Sequence, residues 1–141
     1  MEKNLMEMQR KLDDNIIEIE NSFERFHLYN TTESKLNIAN IYDSYREGAT
    51  ILRDMLNVLE SNKREIKRSP SDYIDLVKGY VKGLTRMNTT VGIVTRDSEM
   101  KKYVRENEIC TMLSNFQQLD DETKKFLTDI GKKDEMWLML R

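Results

Sequence analysis

The chain has 141 residues with one proline and five glycines, enough for one domain with a modest core but hardly for two. So few turn formers disfavour an all-β fold, which needs frequent Gly/Pro turns, and a dinucleotide-binding sheet with its glycine-rich loop. Charged residues at 34% against 38% apolar suit amphipathic helices with a narrow buried stripe, and the net charge of −2 conceals an uneven distribution.

Residues 1–62 carry 7 basic and 12 acidic side chains, residues 63–105 carry 11 and 5, and residues 106–141 carry 5 and 8. A middle block at +6 between acidic flanks marks a polyanion-binding face or charge-matched self-assembly, or else a set of solvated helix surfaces. The lone cysteine, Cys110, excludes an intramolecular disulfide and makes a reducing compartment the simpler expectation. No run approaches the ~18–20 apolar residues of a membrane span. Met1-Glu2-Lys3-Asn4 opens a charged helix, not the apolar core of a signal peptide. The sequence reads as cytoplasmic, of a bacterium or an infected host cell, with no membrane partner.

The first segment has the clearest periodicity. Leu5, Gln9, Leu12, Ile16, Ile19, Phe23 and Phe26 are spaced alternately by four and three, a heptad stripe interrupted once by Gln9. It predicts a helix over 3–29, roughly 40 Å long at 1.5 Å per residue. Ile38, Tyr42, Tyr45, Ala49, Leu52, Leu56 and Leu59 repeat the arrangement over 34–62. Cations then close this helix, and Ser69-Pro70-Ser71-Asp72 opens another, with Ser69 as N-cap, Pro70 at the first helical position and Asp72 answering the dipole.

Tyr73, Val77, Tyr80, Leu84, Met87, Val91 and Val94 carry this third helix over 70–95, and its end is open between helix, strand and loop because Thr89–Thr95 is β-branched around Gly92. Residues 34–62 and 70–95 thus form a helical hairpin. Asp97-Ser98-Glu99 is expected to start a fourth helix through Cys110 and Phe116, and Asp120-Asp121-Glu122 a fifth, closed by Gly131 as C-cap. The fold class is all-α: a long antiparallel hairpin or bundle of four to five helices in a single domain over 1–141, with coiled-coil-like heptad packing. Gly79 and Gly83, each costing about 1 kcal/mol in a helix, point to a close helix crossing.

Little in the sequence carries catalytic chemistry. His27 is the sole histidine, so a histidine metal cluster is excluded and a triad would depend on this residue; its expected role is structural or solvated. Cys110 lacks a neighbouring base and is expected to be a small buried apolar residue. Asp13, Asp14 and Glu18 lie on or near one helical face but in no calcium-loop pattern, and neither phosphate-loop pattern occurs. No cofactor, metal or catalytic residue is assigned.

Three features remain. Lys63, Arg64, Lys67 and Arg68 cluster at a turn, and Lys78, Lys82 and Arg86 form a stripe at intervals of four, with Lys101, Lys102 and Arg105 beyond. This is a pattern for DNA or RNA backbone contacts. Leu5, Leu12, Ile16, Ile19, Phe23 and Phe26 form a stripe that a thin hairpin would leave partly uncovered, a candidate self-association surface. Trp137, Leu138 and Leu140 lie in an apolar tail suited to closing the core or docking on a partner.

Residues 42–105 resemble the central helical hairpin of small terminase subunits from contractile-tailed phages. Tyr42, Tyr45 and Arg46 open the first helix, followed by Gly48, Leu52 and Leu56; Ser69-Pro70 makes the turn; Leu76, Leu84, Met87 and Asn88-Thr89-Thr90 fall along the second. Ser71 stands where that family often has Arg, the turn is longer, and the N-terminal heptad helix replaces a flexible arm. The resemblance implies ring formation, viral DNA binding and stimulation of a motor subunit, without nuclease or ATPase activity. The leading expectation from the residues themselves is a non-enzymatic assembly module that self-associates and binds a protein partner. The alternative is a nucleic-acid-binding packaging or replication accessory using residues 63–105.

Overall fold

The computed structural model describes residues 1–28, 33–103 and 105–132, and every regular element among them is helical. Four helices are long: α1 (Glu2–Leu28), α2 (Glu33–Ser61), α4 (Pro70–Arg96) and α6 (Glu106–Asp129). Two short pieces join them, α3 (Lys63–Arg68) and α5 (Ser98–Lys101).

Cross-helix pairs give the directions. Asn15 of α1 reaches Ser44 of α2, while Leu5 and Met55 line the same surface pocket, so α1 and α2 are antiparallel. Asp13 meets Arg86, and His27 meets Asp97, so α4 runs parallel to α1. Tyr80 meets Thr123 and Asn88 meets Asp120, which places α6 antiparallel to α4. Both α1 and α6 pack on α2 and on α4, so the α2–α4 pair forms the middle of the molecule. One apolar cluster runs from Leu5 to Ile130.

The central position of α2 explains why its buried arc is wider than one heptad stripe. Ile41, Ile51 and Met55 are buried beside the expected Tyr45, Leu52, Leu56 and Leu59, while Tyr42 and Ala49 are only partly covered. On α4 the stripe from Val77 to Val94 is buried, and the helix continues unbroken through Gly92 to Arg96. Tertiary burial of Thr90, Val91 and Val94 outweighs the modest helix penalty of a β-branched run.

The paired glycines mark a close crossing of α1 over α4. A β-carbon on Gly83 would overlap the Cδ2 of Leu12, and one on Gly79 would lie 3.6 Å from Gln9 Oε1. At Gly48 the same addition would meet Asn15 Oδ1 at 2.7 Å, where Asn15 Nδ2 donates to the Ser44 carbonyl at 2.9 Å.

The C-terminal half departs from the sequence expectation. α5 ends at Lys101, and α6 starts at Glu106 and passes straight through Asp120-Asp121-Glu122. These acids are not a helix start. Asp120 accepts from Asn88 Nδ2 at 2.8 Å, and Glu122 pairs with Arg53 at 2.5 Å; they tie α6 to α4 and α2. Burial raises the Asp120 carboxyl pKa, with the Asn88 bond opposing.

Caps follow local chemistry. Asp97 accepts from the Glu99 and Met100 amides at 2.9 and 3.0 Å, an N-cap of the preferred kind. Ser69 sits at the cap position of α4 with Pro70 following, but its side chain makes no capping bond. Gly131 adopts φ 75 after α6, with its amide on Thr128 O and the Lys132 amide on Leu127 O, the two bonds of a Schellman motif. A β-carbon there would touch nothing within 4 Å, so Gly131→Ala isolates the backbone cost. It should lower the unfolding free energy by about 1 kcal/mol in urea titration; an unchanged value would mean that the left-handed cap is not used.

Candidate nucleic-acid interface

α3 is a short helix whose Ile66 is fully buried, which anchors it and turns Arg64, Lys67 and Arg68 to solvent. On α4, Val77, Tyr80, Val81 and Leu84 face the core, so Lys78, Lys82 and Arg86 rise along the opposite side. The structure divides these seven cations into two kinds. Lys63 Nζ lies 3.1 Å from Asp129 and 3.5 Å from Glu60, and Arg86 Nη1 lies 3.0 Å from Asp13. The hydrogen bond that Lys63 Nζ donates to Asp129 is the main cause of a raised Lys63 pKa. Arg64, Lys67, Arg68, Lys78 and Lys82 are exposed and have no carboxylate partner among the described residues.

The basic block of residues 63–105 is not one patch. Lys101, Lys102 and Arg105 lie past the far end of α4, roughly 40 Å from α3 at 1.5 Å per residue, and Lys102 is paired with Glu99 at 3.2 Å. Arg96 folds back onto the Gly92 carbonyl at 3.0 Å. Within this block, the cations without a carboxylate partner among the described residues thus fall mainly on α3 and the first half of α4.

The candidate self-association stripe requires correction. Leu12, Ile16 and Ile19 are fully buried, and Leu5, Phe23 and Phe26 nearly so, all within the same chain. The expectation that one chain cannot cover them fails because α1 packs into the groove between α2 and α4. The glycines of α4 let it approach closely enough. Trp137, Leu138 and Leu140 lie outside the described residues.

Cys110 is exposed, contrary to the expectation of a small buried apolar residue: it falls on the side of α6 opposite Met112, Phe116 and Leu119. Asp13 is held by Arg86 and by Gln9, and Glu18 by Arg25 at 2.9 Å, so these acids act as ion-pair partners. No group of three or more His, Cys, Asp or Glu side chains able to hold a metal occurs among the described residues. No helix among them is long and apolar enough to cross a membrane.

A cleft of about 500 Å³ between α2 and the α5–α6 connection was not legible in the sequence. Tyr42, Arg46, Lys102, Tyr103, Arg105 and Glu108 line it, residues some sixty positions apart with no shared motif. Arg46 bridges Asp43 at 2.8 Å and Glu108 at 2.7 Å, and the Tyr42 hydroxyl accepts from the Arg105 amide at 3.1 Å. The guanidinium is thereby held by two carboxylates at the cleft wall.

No protein-family model, no curated protein and no solved structure matches this chain.

Proposed function

We propose that this chain is a non-enzymatic module of four long, coiled-coil-like packed helices that binds nucleic-acid backbone through α3 and the outer face of α4. The observation that carries the reading is the set of five exposed cations without a carboxylate partner among the described residues: Arg64, Lys67, Arg68, Lys78 and Lys82. Each cation near a phosphate contributes salt-sensitive, sequence-independent affinity. The resemblance of residues 42–105 to small terminase subunits supports the same direction, an accessory to DNA packaging or replication. Its buried residues Tyr45, Leu52, Leu56, Leu84 and Met87 bear on the hairpin, whereas the cations bear on the ligand.

Salt-titrated binding to duplex DNA tests the proposal. Replacing Lys67 and Arg68 by Ala, or Lys78 and Lys82 by Ala, should lower the slope of log affinity against log salt by roughly 1–2 units. Affinity should fall on all duplex sequences alike, because phosphate contacts do not read bases. Lys63→Ala and Arg86→Ala should matter less, since Asp129 and Asp13 already hold those charges. Failure of the folded protein to bind DNA or RNA even at low salt would remove the proposal.

Assembly with another copy or with a protein partner is a second reading, and it now stands on different residues from the α1 stripe. Met6 and Ile17 are 63% and 49% exposed and lie about three turns apart on one side of α1. Ile93 of the neighbouring α4 is 40% exposed. Light scattering after gel filtration tests it: a dimer or larger that Ile17→Asp converts to monomer supports this surface, and a strict monomer removes it.

A further inference from the structure

We infer that His27 and Asp97 form a proton-gated latch that fastens the end of α1 to the α4–α5 junction, closed while the imidazole carries both of its protons. The geometry requires two donors. Nδ1 lies 2.7 Å from the Phe23 carbonyl oxygen and Nε2 lies 2.9 Å from Asp97 Oδ2, and a carbonyl and a carboxylate can only accept. Neutral imidazole has one N–H, so deprotonation sets a nitrogen lone pair against an oxygen at hydrogen-bond distance. The imidazolium satisfies both contacts and sits in the last turn of α1, where a cation answers the helix dipole.

Asp97 is fixed independently of the histidine, because Oδ1 accepts from the Glu99 and Met100 amides while Oδ2 receives His27. Among the described neighbours, the other charges are engaged elsewhere or exposed to solvent. Arg25 on α1 pairs with Glu18, Arg96 on α4 bonds the Gly92 carbonyl, and Glu99 on α5 pairs with Lys102; Glu24 and Lys101 are exposed, and Asp97 is the charge that acts on the imidazole. Beside the latch Tyr103 packs edge-on to Phe26 with ring centroids 5.7 Å apart. The contact therefore governs how the α5 turn, with Lys102 and Tyr103, sits over the cleft it lines with α2.

The linkage has a definite sign. The hydrogen bond that the imidazolium donates to Asp97, then the one it donates to the Phe23 carbonyl, raises the His27 pKa, so its contribution is complete below the ordinary histidine pKa of about 6.5 and is lost as pH rises through the higher folded value. The Met100 amide bond is the largest of the causes that lower the Asp97 pKa, so its contribution is lost only at acid pH, below the ordinary carboxylate range. The latch is closed in mildly acid solution and opens as pH rises through the raised folded pKa of His27.

His27 is the sole histidine, so its ring signals can be followed by nuclear magnetic resonance in the full chain without assignment of others. The expected wild-type midpoint lies above about 6.5, with both ring nitrogens protonated below it. Asp97→Ser keeps a capping oxygen and removes the charge, and its midpoint should fall toward the ordinary value; Asp97→Asn serves if the serine variant loses α5. Amide exchange at Met100 and Lys101 should accelerate across the wild-type midpoint beyond that seen in His27→Gln, whose side chain does not titrate. A wild-type midpoint no higher than that of the Asp97 variants, or identical exchange profiles in wild type and His27→Gln, would overturn the latch.

Discussion

Truncating Leu12 to Ala should lower the unfolding free energy by about 2–5 kcal/mol, and by the same amount at low and high protein concentration. Leu12 is fully buried, with its Cδ2 resting over Gly83 of α4, so the loss combines transfer free energy with a cavity at a helix crossing. Its heptad neighbours Ile16 and Ile19 are equally covered and should behave alike. Concentration is the discriminating variable. A stripe buried within the chain gives a unimolecular loss, whereas a stripe buried between chains gives a stability that rises with protomer concentration. Urea unfolding at several concentrations checks this, and a strongly concentration-dependent midpoint for Leu12→Ala would return the α1 stripe to an intermolecular role.

Gly83→Val should cost about 1–3 kcal/mol by overpacking, in spite of the higher helix propensity of most residues over glycine. The first added carbon already overlaps Leu12, and a β-branched side chain in a helix has little freedom at χ1 to escape it. Gly83→Ala should cost less, because the same propensity gain of about 1 kcal/mol offsets a smaller clash. The two sites touch, so they should couple: in a Leu12→Ala background the valine enters space that leucine vacates, and the double variant should be more stable than the sum of the single losses by about 0.5–3 kcal/mol. Strict additivity would mean that α1 does not cross α4 at this glycine.

The extents of α1, α2 and α4 follow from periodicity and Pro70, which are local signals. The C-terminal boundaries were misread for the opposite reason. Asp120 and Glu122 look like a helix start, but their partners Asn88 and Arg53 are distant in sequence, and no window of neighbouring residues contains them. Cys110 was misassigned because a single small residue carries no period of its own, and its side of α6 is decided by where Met112 and Phe116 pack.

The candidate interface divides along the same line. The sequence by itself determined that the chain is helical, which residues form the apolar stripes, and that cations concentrate in its middle, since each follows from residue type and short-range spacing. Only the tertiary structure decided what covers each stripe and which cations keep their charge exposed. Leu12 needs a helix to pack on, and nothing in its spacing says whether that helix belongs to the same molecule; Gly83 of α4 supplies the close approach. Lys63 and Arg86 are paired with Asp129 and Asp13, 66 and 73 residues away, while Lys67, Arg68, Lys78 and Lys82 meet no such partner among the described residues. Coulomb attraction acts through distances in space, and those distances exist only after the helices have packed.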